Sequence, residues 1–174
     1  YAIESGTSSP IVFFEDSFTV AEDESLSISV EELLGNDTHL EGRHIEISGV
    51  SNAQNGVVTL DQSSGMVIFT PGADYNGDAS FEYTVSDGLG TKSNIVSVDI
   101  AARNDAPKAQ DDQVFANQTN GVIEISTSDL LANDMDVDGD TLSVLSVLNA
   151  VNGSVALDSQ TKVITFTPNI NFTG

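Results

Sequence analysis

Phe81-Glu82-Tyr83-Thr84-Val85-Ser86, followed by Asp87-Gly88, alternates large apolar and polar side chains and then stops on a turn dipeptide. A period of two places one set of side chains on a core and the other in water, the mark of a half-buried β-strand. The same parity runs through Val96, Val98 and Ile100, and through Leu26, Ile28 and Val30 with serines between them. Strands are therefore expected over 17–20, 25–30, 44–51, 57–61, 66–70, 80–86 and 94–101, with one helical turn near 30–35. Asn55-Gly56, Gly65, Pro71-Gly72 and Asn76-Gly77 punctuate them with turn chemistry. Seven short strands in fewer than a hundred residues imply an all-β, two-sheet sandwich with Greek-key connections.

The pattern then repeats. Leu33-Leu34-Gly35-Asn36-Asp37 returns as Leu130-Leu131-Ala132-Asn133-Asp134, and Asn55-Gly56-Val57-Val58-Thr59-Leu60-Asp61 as Asn152-Gly153-Ser154-Val155-Ala156-Leu157-Asp158. Phe69-Thr70-Pro71 returns as Phe166-Thr167-Pro168, and each pair is 97 residues apart. A fixed spacing of this kind denotes an array of like units. Residues 1–10 are read as a linker, 11–103 as the first sandwich, 104–107 as a second linker and 108–174 as the second sandwich. Second-copy strands are expected over 113–116, 122–126, 141–148, 154–158 and 162–167. Gly174 matches Gly77, so the second copy lacks counterparts of Asp78 to Ala101 and is read as an incomplete piece of a longer array. Its missing strands are expected from further chain or from an apolar segment such as Ile11-Val12-Phe13-Phe14 of another molecule.

The chain has 174 residues, with 27 acidic and 5 basic ones, a formal net charge of −22. Such a surface disfavours nucleic acid and anionic membranes as partners. A hydrophobic content of 39% argues for folded units over an acidic disordered tail. Cysteine is absent, which excludes a disulfide framework and a thiolate metal site. No apolar run is long enough to span a bilayer as a helix.

The densest chemistry lies in Asn133-Asp134-Met135-Asp136-Val137-Asp138-Gly139-Asp140. Asp134, Asp136, Asp138 and Asp140 at alternate positions offer hard oxygen ligands of the kind calcium takes. An acidic turn of this composition is also simply soluble, but four like charges on one short loop repel unless a cation bridges them. It is not an EF-hand, because the closing glutamate is missing and the flanks read as strands. The first copy differs at the matching stretch, where His39, Glu41 and Arg43 replace three of the aspartates. Arg43 is expected to act there as a fixed counter-charge. His39 and His44 lack the further ligands that zinc requires. Asp87 lies at the top end and reads as a hairpin-turn residue, with any metal role there involving a preceding unit. No catalytic constellation is evident: there is no cysteine nucleophile, no nucleophile elbow and no phosphate loop. The chain is not expected to be an enzyme.

The order Phe-x-x-x-Glu-Asp, Leu-Leu-x-Asn-Asp, Asp-x-Asp-Gly-Asp, Asn-Gly-x-Val, Phe-Thr-Pro, Tyr-Asn-Gly, Phe-x-Tyr-x-Val-Ser-Asp-Gly and Asn-Asp-Ala-Pro resembles the bacterial cadherin-like and immunoglobulin-like repeats. These stack in large secreted adhesins of the RTX and biofilm-associated type. The resemblance covers Phe14 to Pro107 and the second copy to its end. It implies calcium at domain junctions, rigid stalks, cell-surface adhesion and an extracellular or bacterial cell-surface location. Asn104-Asp105-Ala106-Pro107 looks like the cadherin linker, and Asp134 and Asp136 look like the paired aspartates at the top of the following domain. The partners implied are neighbouring repeats of the same chain, with host or bacterial glycans or proteins reached through other modules.

In a seven-strand sandwich the first strand runs away from the top, so the first turn, the turn before the penultimate strand and the chain exit share the bottom end. Glu22, Asp23 and Glu24, then Asp74, Asn76 and Asp78, and Asn104 and Asp105 are expected there. The metal set expected is Glu22, Glu24, Asp74, Asp78, Asn104, Asp105, Asp134, Asp136, Asp138 and Asp140. The alternative function is polysaccharide binding as an accessory module. The chain has no tryptophan and only Tyr1, Tyr75 and Tyr83 for stacking on sugar, which argues against it.

Overall fold

The first unit contains β1 (Ile11–Val12), β2 (Asp16–Ala21), β3 (Leu26–Ser29), α1 (Val30–Leu33), β4 (Thr38–His39), β5 (Glu46–Gln54), β6 (Gly56–Asp61), β7 (Met66–Pro71), β8 (Gly77–Ser86) and β9 (Thr91–Ala101). The second contains β10 (Ile123–Ser126), α2 (Thr127–Leu130), β11 (Gly153–Asp158) and β12 (Val163–Pro168). These come from a computed structural model that describes residues 10–114, 121–170 and 172. The chain divides into its two units between Arg103 and Asn104. The expected linker over residues 1–10 lies, apart from Pro10, outside the described residues.

The first unit is a sandwich of a four-stranded sheet, β2-β9-β8-β5, and a three-stranded sheet, β3-β7-β6. The alternation read from sequence faces inward as expected. Phe81, Tyr83, Val85, Val96, Val98 and Ile100 are buried from one sheet, and Ile28, Val67 and Phe69 from the other. Phe69 and Phe81 stack at 5.8 Å between ring centroids. Strand β2 runs parallel to β9, pairing Ala21 with Ala101, while Gly77 of β8 pairs with Ile100. The first turn, the start of β8 and the chain exit therefore lie at one end, as the topological argument required.

The helical turn forms because Ser29 caps it, its Oγ accepting the Glu32 N–H at 3.1 Å. Ser126 does the same for α2, accepting the Ser128 N–H at 3.2 Å. Each cap satisfies a donor that a helix start leaves open. The Asn-Gly pairs repeat for a steric reason. A Cβ on Gly56 would sit 2.5 Å from Phe69 Cζ and 2.6 Å from the Thr70 carbonyl oxygen. On Gly153 it would sit 2.5 Å from Phe166 Cζ and 2.7 Å from the Thr167 oxygen. The preceding asparagines turn the chain at φ 58 in both copies.

Three expectations are corrected. Strands β1 and β4 were not anticipated; they pair Ile11 with His39 and Val12 with Thr38. Ile11 is buried and Phe13 meets Tyr83 edge-on at 5.7 Å, so this segment is consumed by its own unit and is not a spare strand for another molecule. The strand expected over 141–148 is not formed. In the first unit the matching strand β5 takes its ladder from β8. Among the described residues no strand pairs with this segment, and Leu145, Leu148 and Val151 are exposed. The strand expected over 113–116 falls partly outside the described residues, and 113–114 are not in a strand. What forms in the second unit is the three-stranded sheet β10-β12-β11, with Ile164 buried.

Under the top of the first unit lies a polar network. Tyr83 Oη is 2.6 Å from Asp37 Oδ2 and 2.9 Å from Asp16 Oδ2, and it accepts from Asn94 Nδ2 at 3.2 Å. Burial pushes the Asp16 carboxyl up from its ordinary range, opposed by the Tyr83 contact and reinforced by the Asp37 charge.

Candidate metal centre

At the exit end of the first unit the acidic side chains are tied to the backbone and to one cation. Arg103 donates its backbone N–H to Glu22 Oε1 and its guanidinium to Glu24 Oε1. Asp23, at φ 60, accepts the Asp74 N–H at 3.2 Å, and Asp74 itself turns at φ 54. Glu22, Asp23 and Asp74 are thus gathered on two turns at one end. Glu24 is engaged by Arg103 in an exposed ion pair, an arrangement that competes with the metal role expected for it. Asp78 stands apart from the turns. It lies on β8 directly opposite Asp99 of β9, with its residue exposed.

In the second unit the acidic loop is fastened to the incoming segment. Asp138 Oδ2 accepts the Asp105 N–H at 2.7 Å, and Asn104 Nδ2 donates to the Asp105 carbonyl at 2.8 Å. Asp134 Oδ1 accepts the Gln110 N–H at 2.9 Å, while Gln110 Nε2 donates to the Asn133 carbonyl at 2.6 Å. Lys108 and Met135 exchange backbone hydrogen bonds at 2.7 and 3.1 Å. Within the loop, Asp136 Oδ1 accepts the N–H groups of Asp138 and Asp140, at 3.0 and 3.2 Å. Gly139, at φ +79, permits the turn. Asn104, Asp105, Asp134, Asp136 and Asp138 therefore form one fixture, held in place by backbone donors. Asp140 contributes its N–H to the turn.

The matching loop of the first unit has the same skeleton with a different head group. His39 Nδ1 accepts the N–H groups of Glu41 and Arg43, at 3.1 and 3.4 Å. Gly42, at φ +68, donates to the His39 carbonyl at 2.8 Å, as Gly139 does to Asp136 at 3.3 Å. His39 Nε2 then donates to Asp87 Oδ2 at 3.2 Å, with both side chains almost fully covered. Asp87 Oδ1 accepts the Leu89 and Gly90 N–H groups at 2.8 and 2.7 Å. Those two backbone donors, with His39 behind them, hold the Asp87 carboxyl down at about 2.

One expectation changes here, that for Arg43. His39 has partners at both ring nitrogens, so neither is left to ligate zinc. Arg43 does not supply the central counter-charge. Its Nε pairs with Glu41 Oε2 at 3.2 Å on the exposed surface. The His39–Asp87 pair was the functional feature that residue-by-residue reading passed over. Its signal lay in the spacing, since His39 stands 97 residues before Asp136.

A family model for the cadherin-like domain matches residues 8–101 and again 103–174. The chain belongs to the cadherin-like domain family and carries two copies of it. A search of curated proteins gives no match. Among solved structures, an endo-fucoidan hydrolase of glycoside hydrolase family 107, MfFcnA4, is similar with a TM-score of 0.40 at 14% identity, over 93% of this chain and 24% of its own. A second endo-fucoidan hydrolase, MfFcnA9, gives 0.32 at 15% identity, over 90% of this chain and 28% of its own. The chain spans about a quarter of the length of these structures. Overlaps this low assign neither fold nor activity.

Proposed function

We propose that the two units are repeats of a cell-surface or secreted stalk, with calcium held at the acidic ends around the 104–107 linker to stiffen the chain. The observation that carries this reading is the fixture in the second unit. Backbone donors from Asp105 and Gln110 lock Asp138 and Asp134 onto the incoming segment. A loop with this many carboxylates on one scaffold is repulsive without a cation, and its donors are the hard oxygens calcium takes. Asp105, Asp134, Asp136 and Asp138 would hold the ion, with Asn104 and Asp140 beside them. Family membership supports the reading, because cadherin-like domains generally bind calcium and are typically extracellular. Among the described residues no helix is long and apolar enough to cross a membrane. Its partners would be neighbouring repeats, and no catalytic role is assigned. Tyr83 is core, and Tyr75 is partly buried with its ring packed against that core, so neither ring favours a sugar-stacking alternative.

Small-angle scattering of the chain in calcium and in chelator tests the mechanical part. A narrow distribution of interdomain angles in calcium that broadens on chelation is expected. An unchanged distribution would mean that calcium does not set the stiffness.

A further inference from the structure

The two loops solve one problem with two head groups. In each, residue 39 or 136 must accept two backbone N–H groups from residues two and four positions on. Asp136 does so with Oδ1 alone, and its other oxygen can turn to a cation. His39 does so with Nδ1, which fixes the ring proton on Nε2. That N–H then points at a carboxylate, Asp87, that is itself anchored by two backbone donors.

An imidazole Nε2–H directed at a carboxylate oxygen presents the same polarity as a carboxylate-bound cation directed at it. The ring also reaches further from Cβ than a carboxylate does. It therefore fills the space that an aspartate oxygen plus a calcium ion, with contacts of about 2.4 Å, would occupy. We propose that His39 is a built-in replacement for a divalent cation. The first-unit loop keeps its shape without metal, and a latent divalent-cation site exists between position 39 and Asp87. The calcium half of this statement rests on the reading of the second loop as a calcium loop; the metal independence of the first does not.

The surroundings fit this assignment. The Nε2–Asp87 contact is buried, whereas the other charge pair of the loop, Arg43 with Glu41, is exposed. Only the buried pair can stand in for an ion at the centre of the loop. Asp37, the remaining nearby carboxylate of the segment, already accepts from the Phe14 N–H at 3.2 Å and contacts Tyr83.

The test uses the whole 174-residue chain and amide NMR of Glu41, Arg43, Asp138 and Asp140 in chelator and in millimolar calcium. In the wild type, the Glu41 and Arg43 signals stay put on calcium addition, and ring nitrogen shifts show Nδ1 unprotonated at neutral pH. In His39→Asp the same two amides become calcium-dependent, and their hydrogen exchange is at least about tenfold faster in chelator. His39→Asn, which keeps an acceptor and an N–H donor, stays calcium-independent. Movement of the wild-type Glu41 and Arg43 amides with calcium, a protonated Nδ1, or a His39→Asp loop indifferent to calcium would each overturn the proposal. If His39→Asp fails to fold, the wild-type amides, the ring shifts and His39→Asn still decide whether the loop is metal-independent. Silence of Asp138 and Asp140 in the same titration would remove the calcium reading of the second loop, while His39→Asp judges the first.

Discussion

The loop at 38–43 and the loop at 135–140 share a turn, a glycine at positive φ and a doubly accepting head group, yet differ in what completes them. One is closed internally by His39 and Asp87. The other carries its carboxylates on the side of the incoming segment, where backbone N–H groups hold them. The difference teaches that the sandwich needs the turn but not the charge. Backbone hydrogen bonding specifies the loop's shape, and on the proposed reading the side chain at position 39 or 136 decides whether an ion is called for.

The same comparison extends to the units behind the loops. Phe69 is fully buried between two sheets, whereas its match Phe166, in the sheet β10-β12-β11, is half-buried among the described residues. Phe69→Ala is expected to cost about 3–5 kcal/mol, as for a large side chain removed from a packed core. Phe166→Ala should cost clearly less. Chemical denaturation followed by signals assigned to each unit measures both. Equal losses would mean that the second unit has a core as complete as the first.

Acid should also distinguish the copies, by less. Asp61 and Asp158 match at the spacing of 97, and both carboxyls are held low. The Ser63 and Ser64 hydroxyls lower Asp61 to about 2, and the Thr161 and Gln160 N–H groups lower Asp158. The first unit adds Asp87, also near 2. A carboxyl depressed in the folded state stabilises above its unfolded value of about 3.9, and that stability is lost as pH falls through the folded value. Asp16, raised by burial, runs the other way and favours folding as its proton binds. The first unit should therefore lose midpoint denaturant concentration more steeply between about pH 4 and pH 2 than an Asp87→Asn version does. Superimposable profiles would show that the His39–Asp87 pair is not coupled to folding.

Much of this was legible in advance. Inward parity at Phe81, Tyr83 and Val85 set the sandwich, because alternation translates directly into faces. The shared end of the Glu22–Glu24 turn, Asp74 and the chain exit followed from strand direction. What was not legible depended on pairing. Strands β1 and β4 are two residues each, too short for periodicity to register. The 141–148 segment has the alternation of a strand, but a strand exists only where a neighbour supplies its hydrogen bonds. The engagement of Glu24 by Arg103 and of His39 by Asp87 joins residues 79 and 48 positions apart, which no local pattern encodes.

The central claim is that the second-unit loop binds calcium, and calorimetric titration of the chain with calcium tests it most directly, with Asp136→Asn and Asp134→Ala/Asp136→Ala as comparisons. Asp136→Asn keeps the Oδ1 acceptor that shapes the turn and removes only the charge. The account predicts a binding heat with affinity on the order of 10⁻⁴–10⁻³ M, in the range of extracellular modules. That heat should weaken in Asp136→Asn and disappear in the double variant. No heat in the wild type, or the same heat in all three proteins, would contradict it.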